Sequence, residues 1–262
     1  MRCAVITPVG PGHEKLVSEC RNSVQNAVLS SKGVFDQIQE IVIDDTKGDK
    51  GRSVARNEGV SIAQSHGIEW LFFLDADDLM SPYAFGEAAP YLSSVDALWG
   101  AIATWENQEL NLRMPQVLTI NSYDELLSFP ALVTVQMGHF VRTAIAARYP
   151  FNQDLHAGED FDYYLRVWRD CNCRKVNKVF FANRRGLHAT GPRSATGEEW
   201  ALATTTLLKQ GRRAMGSRLD QRRLNDIYRL KRDEFVAYCR SLGVNCDERI
   251  VSYVFNAKNV SG

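Results

Sequence analysis

An α/β fold with a mostly parallel central sheet flanked by helices, followed by a helical C-terminal extension, is what this sequence predicts. Three observations carry that expectation. The run Trp70-Leu71-Phe72-Phe73-Leu74 is short, continuous and apolar, as a strand buried on both faces must be. The first 74 residues alternate strand, helix, strand, helix, strand, the pattern of parallel βαβ units. Carboxylates follow two of these strands directly, as Asp44-Asp45 and as Asp75-Ala76-Asp77-Asp78. In open parallel sheets, ligands bind outside the carboxyl ends of the strands.

The elements are expected in this order. Residues 3–7 form a strand and Pro8–Gly12 a loop. Between Glu14 and Val28 the apolar positions Leu16, Val17, Cys20, Val24, Ala27 and Val28 recur at helical spacing. Glu40–Ile43 is a second strand, Gly51–His66 a second helix and Trp70–Leu74 a third strand. Ala97–Thr104 and Leu132–Val135 read as strands, with a short helix over Ser122–Ser128 between them. Glu159–Arg169 is an amphipathic helix burying Phe161, Tyr164, Leu165 and Trp168, and Lys175–Ala182 is a late strand. An Arg/His/Gly loop follows, and from Glu198 the pattern is helical with breaks near Gly211 and Gly216. The expected division is a catalytic domain over residues 1–197 and a basic helical extension over 198–262 packed on it.

At 262 residues, with 45% hydrophobic and 24% charged content, the composition is that of a soluble globular protein. The start has no apolar segment of signal-peptide length, because Pro8, Gly10, Pro11 and Gly12 interrupt it. No apolar run reaches the roughly 18 residues that a membrane span needs. A cytoplasmic protein is expected, with peripheral attachment at the inner face of a membrane as an alternative. The six cysteines are scattered and lack paired zinc-site spacing, so reduced thiols are expected. Charge is uneven: residues 201–262 hold 12 Lys+Arg against 6 Asp+Glu. The basic stretch 209–232 interleaves cations with Leu224, Ile227 and Leu230 at helical spacing. Packing on the domain accounts for such a face; attraction to an anionic membrane or to DNA is the functional alternative.

Three carboxylates within four positions at a strand end repel one another unless a cation lies between them. A hard divalent ion takes oxygen ligands and commonly holds phosphate oxygens as well. A calcium loop of the EF-hand type is excluded, because Leu79-Met80-Ser81 stands where Gly and further oxygen ligands are needed. An aspartyl-nucleophile phosphatase would also place D-x-D after a strand. Capping of a helix beginning near Pro82 would account for Asp78 alone.

Leu74-Asp75-Ala76-Asp77-Asp78 resembles the D-x-D motif of the family 2 glycosyltransferases, which have the GT-A fold. Four further segments agree in order: Ile41–Asp45, the helix Gly51–Gly59, Gly158-Glu159-Asp160, and Arg185–His188 with Ser194. The likeness covers about residues 3–195. The loop from Thr7 to Gly12 and the residues after Asp45 depart from the family pattern. The resemblance implies a nucleotide-diphosphate sugar donor, UDP above all, and Mn²⁺ or Mg²⁺ between its phosphates. It implies Asp77, Asp75 and His188 as metal ligands. Thr7, Pro8, Asp44, Asp45, Asp75, Arg56 and Arg185 would serve the nucleotide or its phosphates, Arg56 by pairing with a carboxylate. Sugar transfer also needs a base to deprotonate the acceptor hydroxyl. Asp160 is assigned that role, and Glu159 either orients the acceptor or braces the base. Single displacement would invert the anomeric configuration.

The expected acceptor is a saccharide of a cell-surface glycan or its lipid-linked precursor. Transfer to hydroxylated bases of DNA is the alternative that the basic stretch suggests. A nucleotidyltransferase would need a G-x-G-x-R first loop, where this chain has Gly10-Pro11-Gly12-His13. A non-catalytic interaction protein on the same fold is the remaining alternative.

Overall fold

The structure is a computed structural model that describes residues 1–106, 108–184, 196–216 and 220–255, the Ile250 side chain excepted. In chain order the first half comprises β1 (Arg2–Val9), α1 (Val17–Ser30), β2 (Gln37–Asp44), α2 (Arg52–Ser65), β3 (Trp70–Phe73), β4 (Asp78–Met80) and α3 (Ala84–Leu92). There follow β5 (Ala97–Trp99), β6 (Ala103–Glu106), β7 (Glu109–Leu112), α4 (Tyr123–Ser128), β8 (His139–Arg142) and α5 (Thr143–Arg148). The remainder is α6 (Glu159–Asp170), β9 (Cys173–Lys175), β10 (Phe181–Arg184), α7 (Gly197–Met215), α8 (Gln221–Ser241) and α9 (Glu248–Phe255).

The main sheet has the order β2-β1-β3-β8-β5-β9, and β8 alone runs antiparallel to its neighbours. A second sheet, β4-β10-β6-β7, stands beside it. Period-two alternation divides the central strands between two cores. Ala4, Ile6, Leu71 and Phe73 face Ala55, Val60 and Ala63 of α2. Cys3, Val5, Trp70, Phe72 and Leu74 face Cys20, Val24 and Ala27 of α1 and Phe85 of α3. Burial on both sides is why β3 is apolar throughout and β1 is apolar from Cys3 to Ile6. At Gly59 a Cβ would lie 2.5 Å from Ile6 Cγ2, so this glycine lets α2 settle directly on β1.

Two expected strands each divide between the sheets. Ala97–Thr104 becomes β5 and β6, and the chain changes sheets at Gly100, where a Cβ would meet the Lys178 carbonyl at 2.5 Å. Lys175–Ala182 likewise becomes β9 in one sheet and β10 in the other. Leu132–Val135 is not a strand: after Pro130 the chain makes a single 3₁₀ turn over Ala131–Val133. The expected break at Gly211 is absent, and α7 runs through it to end at Gly216. At Gly211 α7 lies so close to α4 that a Cβ would meet Leu127 Cδ2 at 2.9 Å.

The basic extension packs on the domain. Leu208, Leu224, Tyr228, Phe235, Cys239, Val254 and Phe255 join the same hydrophobic cluster as α2 and α6. Several of its cations are used internally. Lys231 is buried and donates to Thr119 Oγ1 at 2.7 Å, Arg212 donates to the Leu127 carbonyl at 2.6 Å, and Arg223 pairs with Asp124 at 3.1 Å. Lys209, Arg213, Arg222 and Arg232 are exposed. Among the described residues no helix is long and apolar enough to cross a membrane.

Candidate active site

The carboxyl ends of β1, β2 and β3 meet at one rim. Strand β1 runs two residues further than the sequence suggests, so Thr7 and Pro8 are buried strand residues paired with Val42 and Ile43. The loop they were expected to form begins at Gly10. Asp44 is exposed at the end of β2 and accepts the Thr46 N–H at 2.9 Å. That bond holds its carboxyl below the usual carboxylate range. Asp45 turns inward: its carboxylate accepts the Lys50 and Gly51 N–H groups at 2.8 and 2.7 Å, tying the loop to the start of α2. Gly48 packs on Pro11, which joins this loop to the one after β1.

At the end of β3 the chain turns sharply, the Asp78 N–H donating to the Asp75 carbonyl at 2.9 Å. The turn gathers Asp75, Asp77 and Asp78, whose carboxylate oxygens lie within 4.8 Å of one another. Burial first, then the charges of Asp77 and Asp75, push the Asp78 carboxyl well above its ordinary range. The helix-capping expectation for Asp78 is corrected. Asp78 opens β4, α3 begins only at Ala84, and the Asp78 carboxylate accepts from Asn183 Nδ2 at 2.8 Å.

Arg56 is the keystone of the site. It projects from α2, is 3% exposed, and spans Asp75 Oδ1 at 2.7 Å and Glu159 Oε1 at 3.2 Å. Arg52 Nε reaches the same Glu159 oxygen at 3.3 Å. Burial opposes a charge on Arg56, but the two carboxylates outweigh it and raise its proton affinity further. Glu159 therefore braces: it links the start of α6 to the end of β3 through one guanidinium. Asp160, beside it, accepts the Phe161 N–H at 2.7 Å. Its carboxyl is pushed up to about 7, by burial first and then by the Glu159 charge. A carboxylate poised there suits proton abstraction near neutrality.

Sequence reasoning missed two residues. Arg184, the last residue of β10, is buried and donates to the Asp77 carbonyl at 2.6 Å and the Ala76 carbonyl at 3.1 Å, while pairing with Glu19. It fixes the backbone of the acidic turn. Its place beside a run of cations was visible in the sequence, but not its reach to a strand 100 residues earlier. The other is His13, whose Nε2 lies 3.9 Å from Asp77 Oδ2. Its signal was the unusual Gly-Pro-Gly-His loop. The expected ligands Arg185 and His188 lie outside the described residues.

The model of glycosyl transferase family 2 matches residues 23–142. Among solved structures, residues 1–349 of S. aureus TarS in complex with UDP-GlcNAc superpose with a TM-score of 0.58 at 16% identity, over 95% of this chain and 78% of that one. The same region in complex with UDP gives 0.56 at 17% identity, over 95% and 77%. Against a longer TarS structure, with a TM-score of 0.56 at 15% identity, the chain spans 87% of itself and 42% of that chain. No curated protein matches the sequence. The segment matched by that family model carries Asp44, Asp45, Arg56, Asp75 and Asp77, and the superpositions give the chain the GT-A fold of these structures.

Proposed function

We propose that this chain is a family 2 glycosyltransferase, metal-dependent and inverting, that moves a sugar from a UDP-sugar to an acceptor hydroxyl on a cell-surface saccharide or its lipid-linked precursor. The observation that carries the reading is the bridge Asp75–Arg56–Glu159, which ties the acidic cluster to the helix bearing Asp160. The UDP and UDP-GlcNAc complexes of TarS support a uridine donor. The cluster suits a hard cation: three carboxylates, two of them buried, share one small space, and burial together with the charges of Asp77 and Asp75 already favours a proton on Asp78. Asp75 and Asp77 would hold Mn²⁺ or Mg²⁺, with His188 as the third ligand. When bound, the ion would neutralise the charge that develops on the departing diphosphate.

The chain's own groups do the rest. Asp160 takes the proton of the acceptor hydroxyl as that oxygen attacks the anomeric carbon, and the bond to the donor phosphate breaks with its electron pair leaving on the diphosphate. Attack from the face opposite the leaving group inverts the centre. Glu159 and Arg56 hold Asp75 in register, and Arg184 holds the turn. Asp44 and Arg185 serve the nucleotide. Residues 198–262 act as a buttress to a catalytic domain over 1–197, in a cytoplasmic protein.

A panel of nucleotide sugars with Mn²⁺ tests this reading. Asp77→Asn is expected to abolish metal-dependent donor binding with the fold intact, and Asp160→Asn to keep donor binding and lose transfer. Unchanged calorimetric binding in the first, or sustained turnover in the second, would contradict the assignments. Transfer to modified DNA bases is a second reading, favoured only by the exposed Lys209, Arg213, Arg222 and Arg232. It requires a salt-sensitive gel shift with duplex DNA.

A further inference from the structure

We infer that His13 is a nitrogen ligand of the cation held by the acidic cluster, and that it biases the site toward Mn²⁺ over Mg²⁺. This rests on the metal-dependent reading above. His13 is 9% exposed, and its Nε2 is buried without a hydrogen-bond partner. That atom faces Asp77 Oδ2 at 3.9 Å, beyond hydrogen-bond reach. Ligands of one small octahedral cation lie about 2.9 Å apart when adjacent and about 4.2 Å when opposite. The separation falls inside that interval, so one ion can touch both atoms with little movement.

The loop is built to keep the ring there. Gly12 takes a left-handed φ of +86°, and the His13 N–H donates to the Gly10 carbonyl at 3.1 Å. The His13 carbonyl accepts from Leu16 and Val17 at 2.9 and 3.2 Å, in the turn that leads into α1. The imidazole is thus fixed from both sides, on a different strand end from the carboxylates. A buried ring nitrogen aimed at an acidic cluster, and bonded to nothing else described, is what a ligand looks like before its ion arrives. Imidazole suits transition ions, whereas Mg²⁺ prefers oxygen and gives up its water reluctantly. Hence the choice of metal should turn on this residue.

The test is pulsed EPR on the full chain with UDP and substoichiometric Mn²⁺, with histidine ¹⁵N labelling to assign the coupled nitrogen. The wild type and His188→Gln are expected to show a histidine nitrogen coupled to the ion. His13→Gln in the His188→Gln background should lose that coupling, and the preference of His13→Gln for Mn²⁺ over Mg²⁺ by calorimetry should fall about tenfold or more, the scale set by loss of a metal-site partner. Bound Mn²⁺ without histidine coupling in His188→Gln, or coupling that survives in the double variant, overturns the inference and leaves the metal-dependent reading standing. If Mn²⁺ does not bind with UDP at all, that reading falls too. Should His13→Gln not fold, coupling in His188→Gln decides the matter, since loss of the signal there assigns it to His188 instead.

Discussion

Arg56 and Lys175 are both buried cations, 3% and 1% exposed, yet the fold treats them in opposite ways. Arg56 lies between Asp75 and Glu159 and keeps its charge. Lys175 donates to Gln116 Oε1 at 3.0 Å and to the Thr134 carbonyl, with no carboxylate at ion-pair distance among the described residues. Burial first, and then the Arg113 charge, drives its amine well below the ordinary lysine range. The contrast shows that burial does not set charge by itself; the partners do. A guanidinium between carboxylates is a fixed electrostatic rivet, whereas an amine among carbonyl oxygens is a hydrogen-bond hub whose charge the surroundings disfavour.

The largest expected break in this contrast comes from Arg56→Met. It leaves the buried Glu159 carboxylate to the half-exposed Arg52 alone and should cost about 3–5 kcal/mol in urea unfolding. A loss below about 1 kcal/mol would show that the bridge is ornamental. Lys175→Met should cost less, about 1–3 kcal/mol, because it takes a donor from two neutral acceptors, the Thr134 carbonyl and a Gln116 Oε1 that keeps the Ile102 N–H, rather than from charges. An equal or larger loss than for Arg56→Met would reverse the ranking.

Dependence on pH sharpens the comparison. In the native state Lys175 binds its proton less tightly than in the unfolded chain. Between its depressed value and the ordinary one near 10.4 the unfolded state holds more protons, so stability rises with pH. Lys175→Met should lack that slope in unfolding titrations across the alkaline range. Asp160 has the opposite sign: its carboxyl is raised to about 7, so its contribution to stability falls as pH climbs from about 4 to 7. Over the same range it should gain activity, with an acid limb in kcat/KM near 7; a limb near 4 would show that another group is the base. The smallest effect belongs to exposed cations. Arg222→Ala and Arg232→Ala should change stability by no more than about 0.5 kcal/mol.

The motifs within the described residues were legible because each is local: an apolar run, an acidic turn and a helix start are set by neighbouring residues. Trp70–Phe73, α2 and α6 therefore lie within two residues of their expected bounds. What sequence could not show was long-range. Splitting of the strands at Gly100 and between Lys175 and Phe181 depends on one backbone passing another. The roles of Asp45 and Asp78 also changed. Both were candidates for the ligand side or a helix cap, yet Asp45 ties its own loop and Asp78 accepts from Asn183. A carboxylate's type is readable in a sequence, but the direction in which it turns is not.

Gly158, the residue before α6, would place a Cβ 3.2 Å from Ala203 and 3.4 Å from Leu207 of α7. The helix that begins with Glu159 and Asp160 thus starts against the chain's late helices, while the acidic cluster hangs on early strands. Under the function proposed above, remodelling at Ala203 or Leu207 would shift Asp160 relative to a cluster left untouched, so that the choice of acceptor would change without the residues proposed to hold the donor.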